Sequence, residues 1–154
     1  MPSFEQEKDH IRAMLEANGY SVRTGDMPGD DFRLFLVPPG FEVESEEVFK
    51  IKDDENVYCG AEMLMGGELR DAFYKQDKED RDYFRKKIKS AEGANGLDFF
   101  GVSDNGKDFR VTIRTMFHIG NLSEDVFGDA MDRLNIAGGA IEDIWNEYFG
   151  KLLG

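Results

Sequence analysis

The sequence predicts an α+β domain: a largely antiparallel sheet of about five strands with helices on one face, in the order α-β-β-β-α-β-β-α. Three observations carry this. Runs with period-two alternation or β-branched and aromatic residues fill 31–64 and 97–118, segments with helical periodicity flank and separate them, and the connections between strands are mostly too short for parallel crossovers. The whole chain, 1–154, reads as one domain, with no internal repeat, linker or low-complexity segment.

Residues 3–18 read as a helix. Ser3 and Gln6 have the spacing of a capping box, Phe4, Ile11, Met14 and Leu15 form one stripe, and Gly19 suits a left-handed C-terminal position. Tyr20 to Arg23 could add a short strand before the loop GDMPGDD. DFRLFLV at 31–37 is apolar on both alternating faces, as in a strand covered on both sides, and PPG ends it. Strands follow at 47–52 and 57–64 around the turn DDEN, 53–56. The region 67–91 is helical and in two pieces. Asp77, Glu79, Asp80 and Asp82 open the second piece and Arg85, Lys86, Lys87 and Lys89 close it, which suits the helix dipole.

Residues 97–103 and 109–118 form a hairpin. Ser123 caps a final helix over 123–152, with Phe127, Met131, Leu134, Ile141, Ile144, Trp145, Tyr148 and Leu152 as its stripe and Gly138-Gly139 as a point where it could kink.

The string GVSDNGKD, 101–108, has the outline of a phosphate-binding loop, but three features oppose that reading. Asp108 stands where Ser or Thr would hold magnesium, Asp104 adds a second repelling carboxylate, and FRVTIRTMF continues as a strand where a helix N-terminus is required. Aspartate, asparagine and glycine in succession make a hairpin turn instead.

With 32 acidic against 19 basic residues the formal charge is -13, which opposes general binding to nucleic acid or anionic membranes and favours solubility. Cys59 is the only cysteine, the N-terminus lacks a signal-peptide pattern, and no apolar run is long enough for a membrane helix, so the expected location is cytoplasmic. The acidic clusters 53–55 and 77–82 lack the ligand alternation of a calcium loop, so no metal or other cofactor is expected, beyond weak divalent binding. Asn121-Leu122-Ser123 matches a glycosylation acceptor by chance.

Catalytic candidates are few. Cys59 lies mid-strand, where a free cysteine packs as a small apolar residue, and His118 ends a strand beside Gly120, where histidine hydrogen-bonds a turn. His10 reads as an exposed helix residue. In 109–117, Phe109, Val111, Ile113 and Phe117 alternate with Arg110, Thr112 and Arg114. Two arginines on one polar face of an acidic protein either pair with carboxylates on neighbouring strands or meet a partner chain.

The succession VYCGAEMLMGGELRDAFYK, DRDYFRKKI and DFRVTIRTMFHIGNLSEDVFGDAMDRL, over roughly 47–137, resembles a family of small archaeal and bacterial proteins of unknown function. That family is similar in architecture to the YbjN-like regulators and the class I chaperones of type III secretion. The resemblance implies a compact α+β domain, often a homodimer, that holds a protein segment without chemistry, and it carries over no catalytic residue. The C-terminal IWNEYFGKLL is longer than in those chaperones. The leading expectation is a non-enzymatic, chaperone-like or regulatory module with a protein or peptide partner. The alternatives are a small hydrolase using Cys59, His118 or an acidic pair, and an acidic nucleic-acid mimic that occupies a basic protein.

Overall fold

A computed structural model describes residues 3–92 and 96–153. In chain order the elements are α1 (Glu5–Ala17), β1 (Ser21–Thr24), β2 (Asp30–Val37), β3 (Glu46–Ile51), β4 (Asn56–Leu64), α2 (Gly67–Lys75), α3 (Lys78–Lys89), β5 (Phe99–Asp104), β6 (Phe109–His118), a 3-10 turn (Ile119–Asn121) and α4 (Glu124–Leu153). The strands form one six-stranded sheet in the order β1-β2-β3-β4-β6-β5, antiparallel throughout. It is thus α+β, with six strands where about five are expected. The extra one is β1, a short edge strand whose Val22 and Thr24 pair with Leu36 and Leu34.

Register decides which residues enter the core, because side chains alternate between the two faces of a strand. Phe32, Leu34 and Leu36 of β2, Val48 of β3, Val57 and Cys59 of β4, and Phe109, Val111, Ile113 and Phe117 of β6 lie on one face, and all are buried. The helices cover that face: α1 lies over β1 and β2, α4 over β4 and β6, and α2 and α3 pack on α4. At the junction of α2, α3, α4 and β6, the rings of Phe73, Phe84 and Phe109 meet at 5.3–5.4 Å. Trp145 and Tyr148 close over them from α4.

The second face of β2 is covered by side chains and not by a further layer of structure. Arg23 lies over the Phe35 ring at 4.4 Å and Arg33 over Phe49 at 4.1 Å, so the apolar residues on that face are shielded by guanidinium groups. The expectation of a strand buried between two layers is therefore corrected. The capping box is also absent. Phe4 is the N-cap of α1 without a side-chain cap bond, and among the described residues Ser3 Oγ accepts only from the Glu5 amide, at 3.4 Å.

Other local signals are realised. Gly19 has φ +88°, Asp77 Oδ1 accepts from the Asp80 amide at 3.0 Å, and Ser123 Oγ accepts from Val126 at 3.1 Å. The final helix runs unbroken through Gly138 and Gly139, and the side chain of Leu152 lies outside the described residues.

The loop 104–108 is a hairpin turn. Gly106 takes φ +84°, Asp104 Oδ1 accepts from its amide at 3.0 Å, and Asn105 Oδ1 accepts from Lys107 and Asp108 at 2.9 and 2.7 Å. The amides that a phosphate would need are occupied by the loop's own side chains. Asp104 also accepts from Tyr74 Oη at 2.6 Å and from Arg85 at 2.6 and 3.0 Å, which ties the hairpin to α2 and α3. Burial alone would raise the Asp104 pKa; the hydrogen bonds from Tyr74, Gly106 and Arg85 outweigh it and hold the carboxyl below its usual range.

One ion pair sits under the N-terminus of α1. Lys50, buried on the helical face of β3, donates to Asp31 Oδ2 at 2.6 Å and lies 4.2 Å from the Phe4 ring. Removing one member of a buried pair leaves the other charge uncompensated. We expect Asp31→Asn to lower stability by about 3 kcal/mol, and Asp31→Leu with Lys50→Met to recover much of that loss. Equilibrium denaturation of the two variants measures both effects.

Candidate functional site

The width of the sheet creates a concave feature on the helical side. Helix α1 is centred between the first and second strand positions and α4 between the fourth and fifth, about three strand spacings or ~14 Å apart. Helices in contact have axes only about 8–10 Å apart, so α1 and α4 leave a seam above β3. A second gap adjoins it. β4 runs on to Leu64, whereas β3 begins at Glu46 opposite Ala61, and the last backbone bond across this end is from Glu62 N to Ser45 O at 3.3 Å.

The seam and the gap merge into a cleft of about 1660 Å³ around the end of β3. One wall is helical: Met14 and Tyr20 from α1 and the residue stretch after it, and Phe127, Met131, Leu134 and Asn135 from α4. The other reaches the uncovered sheet face at Gly60, Glu62, Thr112 and Arg114. Three large apolar side chains stand exposed at the rim: Phe41 (56%), Val43 (66%) and Leu64 (53%).

The arginine strand is placed as follows. Arg110, Thr112 and Arg114 share the sheet face opposite the helices. Arg110 pairs with Glu62 at 3.2 Å. Thr112 lies across from Glu62 in the ladder and lines the cleft. Arg114 has no carboxylate partner among the described residues. Its guanidinium lies 5.2 Å from the Phe99 ring and 5.7 Å from Phe49, a cation held by aromatic faces. Gly60 makes room for it, since a Cβ there would stand 3.3 Å from Arg114 Cγ.

Cys59 and His118 are not brought together. Cys59 faces the helices opposite Thr115 and is fully buried, and burial pushes its thiol up to about 12. His118 ends β6 on the other face, where Nδ1 accepts from the Gly120 amide at 2.9 Å and Nε2 lies 3.2 Å from Glu55 Oε2. Among the described residues, no group of three or more His, Cys, Asp or Glu could hold a metal ion.

Sequence reasoning missed Glu46. It opens β3 on the helical face, is 9% exposed, and its Oε1 has no hydrogen-bond partner among the described residues. Burial raises its pKa to about 7, against a smaller opposing effect of the Tyr20 hydroxyl, which in turn accepts from Asn135 Nδ2 at 3.2 Å. The only signal available in the sequence was its place in the alternation of EEVFKI, in phase with Val48.

A carboxyl whose folded pKa lies above its unfolded value favours the fold below that unfolded value, and the benefit is lost as pH rises through the folded pKa. From the ordinary value near 4.5 to about 7, the loss is about 3 kcal/mol. Glu46→Gln is therefore expected to be more stable than the wild type above about pH 7, with the advantage shrinking towards pH 5 in denaturant titrations. Cys59 is expected to resist thiol reagents until the protein unfolds, with a reaction rate that follows global opening.

No helix among the described residues is long and apolar enough to cross a membrane. No protein-family model matches the chain, and no curated protein does. A crystal structure of an uncharacterized protein from Methanothermobacter thermautotrophicus is similar, with a TM-score of 0.78 and 15% identity, covering 92% of this chain and 98% of that one. At that identity the similarity is one of fold.

Proposed function

We propose that this chain is a non-enzymatic binding module that receives a segment of another protein in the cleft around the end of β3. The observation that carries the reading is the rim. Phe41, Val43 and Leu64 are exposed together beside a cleft larger than the roughly 300–1,000 Å³ of ordinary small-molecule sites. Arg114 and Thr112 form the sheet-side wall, so the arginine strand contributes to the same surface. The chaperone-like resemblance over roughly 47–137 points the same way, and with it goes a cytoplasmic homodimer, a state that sedimentation of the pure protein measures.

The hydrolase reading loses its nucleophile: the Cys59 thiol is buried with a raised pKa, and His118 is engaged in its own turn on the opposite face.

A photo-crosslinking residue introduced at Val43 in the full chain should give one defined protein adduct in cells of the source organism. Phe41→Asp should abolish that adduct while shifting stability by less than about 0.5 kcal/mol, because both positions are exposed. Equal labelling from a crosslinker at the remote, exposed Lys78 would overturn the assignment to the cleft.

A further inference from the structure

Two charged residues share the helical face of β3, one near each end. Lys50 is answered within the chain by Asp31 and the Phe4 ring. Glu46 is not: it is nine-tenths buried in the cleft and one carboxylate oxygen is unpartnered. A buried carboxyl group without a counter-charge is unfavourable, and here the surroundings deepen the deficit. Glu124, Asp132 and Glu142 of α4 also line the cleft, whereas the only lysine or arginine among its described lining residues, Arg114, is on the far face of the sheet. Arg133, though next to Asp132, turns away to donate to Thr115 Oγ1 at 2.9 Å.

The rim is acidic as well as apolar, although Glu44 is paired with Arg23 at 2.9 Å. In Phe41-Glu42-Val43-Glu44, exposed apolar and acidic residues alternate. A cation with an apolar stem suits such a lining, and lysine supplies it: four methylenes that pack on apolar walls and a compact ammonium at their end. Met14 and Met131 can adapt to the stem.

We propose that the segment received by the cleft carries a lysine flanked by apolar residues, and that Glu46 takes the lysine ammonium. The proposal rests on the cleft being the segment's binding site. Binding places the ammonium against the carboxylate, beside the hydrogen-bonded Tyr20–Asn135 pair on the helical wall and near Cys59, with Asp132 adding negative charge. Below about pH 7 a proton therefore leaves Glu46 as the cation enters, and there the heat of binding follows the ionisation heat of the buffer.

The test uses the full chain and four probes: n-hexylammonium, n-hexanol, and acetylated Leu-Lys-Leu and Leu-norleucine-Leu amides. At about pH 8 the lysine peptide should bind tighter than its norleucine counterpart by about tenfold and shift the amide resonances of Tyr20 and Asn135, and at about pH 6, where free Glu46 still holds its proton, its binding should release one. Glu46→Gln should remove that preference and the proton release, while hexanol binds both proteins alike. Equal affinity for the two peptides in the wild type overturns the proposal even if the variant misfolds. Binding of hexylammonium with none of the lysine peptide also overturns it, in favour of a free amine. If the crosslink from position 43 persists while Glu46→Gln has no effect on it or on the peptides, the lysine assignment fails and the binding reading stands.

Discussion

The contact of Phe73, Phe84 and Phe109 fixes where the helices can stand. Phe109 is the first residue of β6, directly after the hairpin, and Asp104 at the other end of that turn binds Tyr74 and Arg85. The aromatic rings and the carboxylate therefore grip the same hairpin from the same side, one by area and edge-to-face geometry, the other by charge. Once α2 and α3 are held there, α4 packs over β6 and β4, with Trp145 and Tyr148 against the rings. Three helices are committed to one half of a six-stranded sheet. The other half has only α1, and the seam over β3 is the geometric remainder.

That account explains what could be read in the sequence. The β5–β6 hairpin was legible because its causes are local: Asp104, Asn105 and Gly106 satisfy the turn, and the period-two pattern of 109–118 persists for ten residues. The cap of α1 was not, because Ser3 competes with a Phe4 drawn to the Lys50 ammonium, a contact with no sequence signature. DFRLFLV read as doubly covered because Phe35 and Val37 are apolar. Arg23, supplied by the neighbouring strand, covers Phe35 in place of a helix, as Arg33 of β2 covers Phe49 of β3.

Glu46 was illegible for a deeper reason. In a chain with 32 acidic residues, one more at the start of a strand carries no mark of its environment. What buries it is the meeting of two helical segments about 120 residues apart in sequence, where Asn135 hydrogen-bonds Tyr20 beside it. Arg110 and Arg114 show the converse. Alternation placed both on one face, but which would find a carboxylate depended on Glu62 standing within reach of Arg110 and on Gly60 clearing space beside Arg114.

The cleft thus has walls of opposite character. Among the described residues, Arg114 on the sheet side is a cation held by two rings with no carboxylate partner, and Glu46 on the helical side is an acid without a base. They do not neutralise each other because the sheet stands between them, its strands hydrogen-bonded and its helical face packed with Val48 and Ile113. Folding leaves both unsatisfied because the residues that would pair them lie on opposite faces of a layer that cannot be crossed. Below about pH 7 Glu46 is relieved by keeping its proton; once ionised it can be answered only from outside, and the apolar rim of Phe41, Val43 and Leu64 marks the side from which that relief can come.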